Sequence, residues 1–251
     1  MPVDHSDHRL AATVAADAGR LLLELRARLE AGELDPTAAR AEGDRRSHEL
    51  IMAALADARP GDAVLSEEGK LDPARLEAER VWIVDPLDGT REFGEPPRVD
   101  WAVHVALVVG GTPVAGAVAL PALDVTLSTD PPPAAPPPLD GPPRVVVSRT
   151  RPPAAALTLA QALGGELVEM GSAGAKAMAV LRGEADVYAH SGGQYEWDSA
   201  APVAVAAAAG LHTSRIDGSP LRYNNADPYL PDLLICRPEL ADRSLAALAA
   251  R

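Results

Sequence analysis

The sequence predicts a two-part fold, an α+β half built on an antiparallel sheet followed by an α/β half, and three observations carry that expectation. Two helical stretches open the chain, and five short apolar segments punctuated by turn residues follow them. Beyond a proline-rich stretch, the segments alternate between strand and helix character. At 251 residues the chain suits one large domain or two small ones, and 47% hydrophobic residues can fill a core.

The elements follow in order. Ser6 to Ala31 reads as a helix because Leu10, Val14, Leu21, Leu22, Leu25 and Leu29 recur on one face and Gly32 stops it. A second helix is expected from Asp44 to Ala58. Ala63–Leu65, Val81–Val84, Ala102–Val109, Val114–Leu120 and Val125–Ser128 have the apolar content and turn punctuation of a strand meander, with Gly110-Gly111 suited to a hairpin. Asp130 to Pro143 is a stiff, proline-rich connector, which divides the chain into an α+β half (1–130), the connector (131–143) and an α/β half (144–251). In the last part, strands are expected at Arg144–Ser148, Glu166–Glu169, Asp186–Ala189 and Leu233–Cys236, separated by helices at Ala154–Leu163, Ala173–Arg182 and Ser199–Ala209. No internal repeat is visible.

Composition narrows the function. A net charge of −13 argues against a nucleic-acid polymer as partner, because little basic surface is available to replace counterions along a phosphate backbone. A small anionic substrate would need a metal or helix N-termini. No signal peptide and no apolar span of ~20 residues is found, so a soluble, cytoplasmic chain without a membrane partner is expected. The single cysteine, Cys236, lies in an apolar run and reads as a buried strand thiol, and no disulfide can form within the chain. The six histidines are scattered; His104 alternates within an apolar strand and reads as an interior side chain. No Gly-x-Ser-x-Gly elbow suggests a serine hydrolase.

The richest stretch is Val81-Trp-Ile-Val-Asp-Pro-Leu-Asp-Gly-Thr90. An apolar strand there gives way to a tight turn with two carboxylates three residues apart. Pro86 biases Asp85 toward extended geometry, so its carboxylate projects from the strand end, and Asp88 returns to the same side. Gly89 allows close backbone approach, and the N–H groups of Gly89 and Thr90, if they open a helix, form an anion seat. Carboxylates, a carbonyl and an anion seat suit divalent metal held against phosphate; an ordinary Asp-Pro-x-Asp-Gly surface turn is the plainer alternative.

The full run resembles the signature of the lithium-sensitive, magnesium-dependent phosphatases of the inositol monophosphatase superfamily. Ser66-Glu-Glu-Gly69, Gly171-Ser172 with Lys176, and Trp197-Asp-Ser-Ala-Ala-Pro202 fit its other motifs in order. Within the superfamily, Arg91-Glu92-Phe93 and Tyr195-Glu196 look most like the CysQ-type 3′(2′),5′-bisphosphate nucleotidases. The resemblance implies a layered fold with the active site between the halves, and a homodimer.

It also implies roles. Glu67, Asp85 and the carbonyl of Leu87 would hold one magnesium ion, Asp85, Asp88 and Asp198 a second, with a third near Glu67. Glu67 and Thr90 would share a metal-activated water, with Asp44 behind Thr90, although Glu42-Gly-Asp-Arg-Arg-Ser47 departs from the family's usual Thr-x-Ala-Asp spelling. Gly89, Thr90, Arg91, Ser172, Lys176 and Asp198 would face the phosphorylated substrate. Arg222-Tyr-Asn-Asn225 either lines the substrate side or is simply a turn. The implied reaction is hydrolysis of 3′-phosphoadenosine 5′-phosphate to AMP and phosphate, in the setting of sulfate assimilation. The alternatives are inositol-1-phosphate or fructose 1,6-bisphosphate hydrolysis, or a non-catalytic sensor on the same fold.

Overall fold

The computed structural model describes residues 4–250, so residues 1–3 and 251, the outermost ends of the expected halves, lie outside the described residues. Helix α1 (His5–Glu30) starts at Asp4, whose carboxylate accepts the Ser6 amide at 2.7 Å while Asp7 reaches back to the Asp4 amide. Helix α2 (Pro36–Ala58) begins well before the expected Asp44. Asp35 caps it by accepting the Thr37 and Ala38 amides at 2.8 and 3.0 Å, and Pro36 takes a first position where no donor is needed. Its first turns are alanine and polar residues, so apolar periodicity alone could not mark the start.

The first sheet runs β1 (Ala63–Ser66), β2 (Arg80–Asp88), β3 (Ala102–Val109), β4 (Thr112–Leu120), β5 (Val125–Ser128) in that spatial order. All neighbours are antiparallel except β1 and β2, which run parallel. Gly110 and Gly111, both with positive φ, turn β3 into β4 as expected. The second sheet has the order β7 (Glu166–Met170), β6 (Arg144–Ser148), β8 (Val187–Tyr195), β10 (Tyr229–Cys236), β9 (His212–Ser214). Strand β6 is parallel to β7 and β8, whereas β10 is antiparallel to β8 and β9. The remaining helices are α3 (Thr90–Phe93), α4 (Ala154–Leu163), α5 (Ala173–Leu181), α6 (Ala200–Ala208) and α7 (Ala241–Ala249). Strand β9 and helix α7 were not expected, β9 being too short to show a period.

The layers stack as helices, sheet, helices, sheet, helices. Helices α1 and α2 cover one face of the first sheet through Leu22, Leu25 and Ile51 against Trp82, Val84 and Val105. Helices α5 and α6 lie between the sheets in one continuous apolar cluster that includes Val81, Ile83 and Val118 from the first and Val146, Tyr188 and Ile235 from the second. Helices α4 and α7 cover the outer face of the second sheet. Strand β2 is therefore apolar on both faces and buried throughout, which is why it reads as an unbroken apolar run. No helix among the described residues is long and apolar enough to cross a membrane.

One correction matters for the site. Strand β2 does not break at Val84 but continues through Asp85-Pro-Leu-Asp88, passing a bulge that leaves Asp85 opposite His104 and Asp88 opposite Ala102 on β3. The expected turn follows at Gly89, with φ +81°, where a Cβ would meet Ser172 Cβ at 3.0 Å and the Asp100 carbonyl at 3.2 Å. The C-terminal end of β2, the start of α5 and the short 3-10 turn Glu196–Asp198 before α6 converge there.

Candidate active site

Asp85 and Asp88, from β2, and Asp198, from the 3-10 turn, each bring a carboxylate oxygen within 4.8 Å of the others. Asp85 is buried and accepts the Leu87 amide at 3.0 Å, which fixes its rotamer inside the bulge. The Pro86 carbonyl accepts the Ser47 hydroxyl of α2 at 2.7 Å, so the bulge is braced from behind. Asp198 accepts the Tyr195 amide at 2.6 Å and is only partly buried. The three carboxylates thus come from two distant parts of the sequence and meet at the junction of the two sheets.

Thr90 opens α3 directly after Gly89, and its hydroxyl lies 3.3 Å from an Asp44 carboxylate oxygen and 3.0 Å from the Leu87 carbonyl. Asp44 stands in the middle of α2. The neighbouring Gly43 lets that helix close in: a Cβ there would lie 3.0 Å from Leu87 and 3.2 Å from Phe93. Glu67 follows β1, its amide bonded to the Val84 carbonyl at 3.3 Å, and its carboxyl reaches that of Asp85. Glu67 therefore lies beside the cluster, against Asp85. Its neighbour Glu68 acts on Asp44 and Glu67 only through its charge.

Asp88 is the most heavily hydrogen-bonded of the carboxylates. It accepts the Ser172 hydroxyl, the Ala173 amide at 3.1 Å and the Gly174 amide at 2.6 Å, all at the start of α5, where the helix dipole favours a negative charge. Ser172 in turn caps α5 by accepting the Ala175 amide at 2.9 Å. His104 stands 3.3 Å from Asp88 through Nε2 and bonds the Trp197 carbonyl through Nδ1 at 3.0 Å. The Trp197 carbonyl bonds Nδ1, while the Asp88 carboxylate faces Nε2 at ion-pair distance without completing a hydrogen bond, an arrangement that favours the charged ring. A Cβ on Gly174 would lie 2.0 Å from Nε2, so the glycine is what admits the ring.

Lys176 is buried. Its Nζ donates to the Gly171 carbonyl and, at 2.8 Å, to that of Ser172, with the Tyr188 ring 5.5 Å away. Reaching a substrate phosphate would require it to release both carbonyls. Arg91 is exposed at the rim and pairs with Glu95 at 3.1 Å. The Arg222-Tyr-Asn-Asn225 stretch is a turn held by Glu196 and Arg75.

The electrostatics follow from crowding. Burial, and then the charges of Glu67, Asp88 and Asp198, push the Asp85 carboxyl well above the usual range. Burial and Asp88 raise Asp198 to about 7, and burial with the neighbouring carboxylates raises Glu67 to about 7, although the solvent on its outer face tempers that push. Burial and Glu68 raise Asp44 to about 6. Asp88 goes the other way: burial opposes ionisation, but the close approach and charge of His104, then Ser172 and Lys176, hold it below its ordinary value. Burial lowers Lys176, and Asp88 raises His104 despite burial. These clustered carboxyls repel one another unless a cation joins them. Hard oxygen donors around a carbonyl fit a divalent metal ion of the magnesium type.

The sequence marks His104 as an interior side chain, and so it is, but the fold also uses it to join the Asp88 and Asp198 segments. The signal was register: once β2 and β3 pair, His104 falls opposite Asp85. Glu196, fully buried two residues before Asp198, was noted only for its spelling.

Comparisons with known proteins agree with this arrangement. The sequence model of the inositol monophosphatase family matches residues 5–130 and 144–250. The 3′-phosphoadenosine 5′-phosphate phosphatase of Mycobacterium bovis is 55% identical over 241 residues, covering 93% of this chain and 90% of that protein. The 3′(2′),5′-bisphosphate nucleotidase CysQ of Escherichia coli is 34% identical over 201 residues, covering 74% of this chain and 80% of that protein. Among solved structures, CysQ from Bacteroides thetaiotaomicron superposes with a TM-score of 0.78 at 29% identity, covering 92% of this chain and 97% of that one.

Proposed function

Because the chain belongs to the inositol monophosphatase family, we propose that this phosphatase is magnesium-dependent and hydrolyses 3′-phosphoadenosine 5′-phosphate to AMP and phosphate. The observation that carries the reading is the cluster of Asp85, Asp88 and Asp198 within 4.8 Å, set against the Asp44–Thr90 pair. The substrate is supported by the 55% identity to a phosphatase named for it.

Magnesium, when bound by Glu67, Asp85, the Leu87 carbonyl, Asp88 and Asp198, supplies positive charge that offsets carboxylate repulsion, polarises phosphoryl oxygens and lowers the pKa of a water. The protein's own groups do the rest. Glu67 and the Thr90 oxygen hold the attacking water, and a proton received by Thr90 is relayed to Asp44, whose raised pKa suits it as acceptor near neutral pH. The turn at Gly89 and Thr90 presents amide N–H groups to the phosphate. Asp88 stays ionised on the α5 N-terminus, which keeps its second function, binding metal, available at all working pH values. On this reading Arg91 would leave Glu95 to meet the substrate's second phosphate, while Ser172 and Lys176 shape the floor behind Asp88.

Turnover of the nucleotide is expected to need magnesium, to stop in excess chelator and to fall in millimolar lithium. Calcium, with its larger and looser coordination, is expected to inhibit. Phosphate release under those four conditions is the check, and full turnover in chelator would refute the metal reading.

A further inference from the structure

The two sides of the site are joined by a chain of part-buried polar contacts that the chemistry above does not use. Glu67 begins the loop between β1 and β2, and six residues later that loop makes the 3-10 turn Pro73–Glu77, which carries Arg75. Arg75 is 3% exposed, and its guanidinium crosses to the second half of the chain. One terminal nitrogen donates to the Asn224 side-chain oxygen, the other to the carbonyls of Asn225 at 2.7 Å and Ala226 at 3.3 Å. Asn224 answers by donating its side-chain amide to the Arg75 carbonyl at 3.0 Å. The backbone amides of Asn224 and Asn225 then donate to Glu196 at 2.6 and 2.8 Å, and the Asn225 side chain donates to it at 2.7 Å. Glu196 is fully buried and lies two residues before Asp198.

We infer that Arg75 is a positioning residue for the hydrolysis, holding the Glu67 side of the cleft in register with the Asp198 side through Asn224, Asn225 and Glu196. The inference rests on the reading of Glu67 and Asp198 given above. Neither segment sets this distance alone, because Glu67 is itself exposed just past the buried end of β1 and Asp198 hangs from a single 3-10 turn. The planar fork of an arginine can engage a side-chain oxygen and two carbonyls at once, which a lysine's single ammonium cannot do in fixed geometry. The φ of +62° at Asn224 fits the same role, since the contacts on both sides of it hold the residue in the left-handed region.

Turnover and magnesium half-saturation would be measured on 3′-phosphoadenosine 5′-phosphate for the wild type, Arg75→Ala, Arg75→Lys, Glu67→Gln and the double variant Arg75→Ala/Glu67→Gln. Arg75→Ala is expected to lower kcat by about 10- to 100-fold, the scale of a small misplacement of catalytic groups. It should also raise the magnesium needed for half-saturation while leaving the nucleotide KM nearly unchanged, and Arg75→Lys should recover part of the loss. In the Glu67→Gln background, Arg75→Ala should cost less than about twofold, because groups acting as one unit do not add. Equal losses in both backgrounds would mean a merely structural brace and overturn the inference, as would wild-type kcat in Arg75→Ala. Should Arg75→Ala not fold, Asn224→Gly keeps the left-handed backbone, deletes the side-chain contact and must give the same pattern. Full turnover in Glu67→Gln alone would remove the reading of Glu67 and the inference with it, an outcome distinct from an inactive Glu67→Gln beside an active Arg75→Ala.

Discussion

Asp85→Asn and Asp198→Asn are each expected to abolish metal binding and turnover together, whereas Thr90→Ala should keep metal binding and lose about 100-fold or more in rate, the scale of a positioned proton-transfer group. The difference follows from position. Asp85 is buried at the centre of the cluster, with Glu67, Asp88 and Asp198 all acting on it, so a neutral amide there removes the most central of the negative charges that would hold a cation. Asp198 contributes the only carboxylate from the second half of the chain among the three that meet within 4.8 Å. Thr90, by contrast, offers a neutral hydroxyl that touches Asp44 and the Leu87 carbonyl, so its loss leaves the charge of the cluster intact. Calorimetric titration of each variant with magnesium or manganese separates the cases. Equal loss of metal affinity in Thr90→Ala would make its hydroxyl a structural cap on the turn.

The second large effect is a coupling between metal and protons. Asp198 rises from 3.8 to about 7 and Glu67 from 4.5 to about 7, so without metal the folded cluster holds protons that the unfolded chain has already released over roughly pH 4 to 7. A raised folded-state pKa makes the folded state the better proton binder. Its stabilising contribution is complete below the unfolded value and is lost as pH rises through about 7. The chelated protein should therefore melt at a lower temperature at pH 8 than at pH 5. Carboxylates held low by arginine, such as Asp7, Asp186 and Asp232, lose their contribution on the acid side of that window and do not mask the trend. Magnesium should displace the cluster's protons, so its affinity should fall as pH drops below about 7, and saturating metal should flatten the melting curve against pH. Calorimetry in two buffers of different ionisation enthalpy would count the released protons; none released would contradict the crowding described here.

Much of this was legible in the sequence because the decisive residues sit where local rules act strongly. The apolar run before Asp85 reads as a buried strand and the Gly110-Gly111 pair as a hairpin turn, and both form. Asp85 and Asp88 are legible where the apolar strand gives way to a turn, Asp198 only through the family resemblance, and the structure brings them together although 110 residues separate the last two. What was not legible depends on pairing across the chain. The bulge that carries β2 through Asp88 is fixed by β3, not by residues 85–88 themselves. His104 acquires its role only from that register and from the opening left by Gly174. Lys176 shows the opposite failure: the resemblance turns it toward the substrate, but α5 is buried along its whole length and turns the ammonium onto its own first carbonyls. The extra turns of α2 were hidden by alanine, which favours helix without marking a face.

The most direct measurement is the set of specificity constants, with saturating magnesium, for 3′-phosphoadenosine 5′-phosphate, 3′-AMP, inositol-1-phosphate and fructose 1,6-bisphosphate. The bisphosphate nucleotide should be preferred over all three, and its advantage over 3′-AMP should correspond to ~1.5–3 kcal/mol, the scale of a hydrogen bond to a charged group reading the 5′-phosphate. A preference for inositol-1-phosphate or the sugar bisphosphate would contradict the substrate assignment, and no magnesium-dependent phosphate release from any of the four would contradict the reading of the acidic cleft.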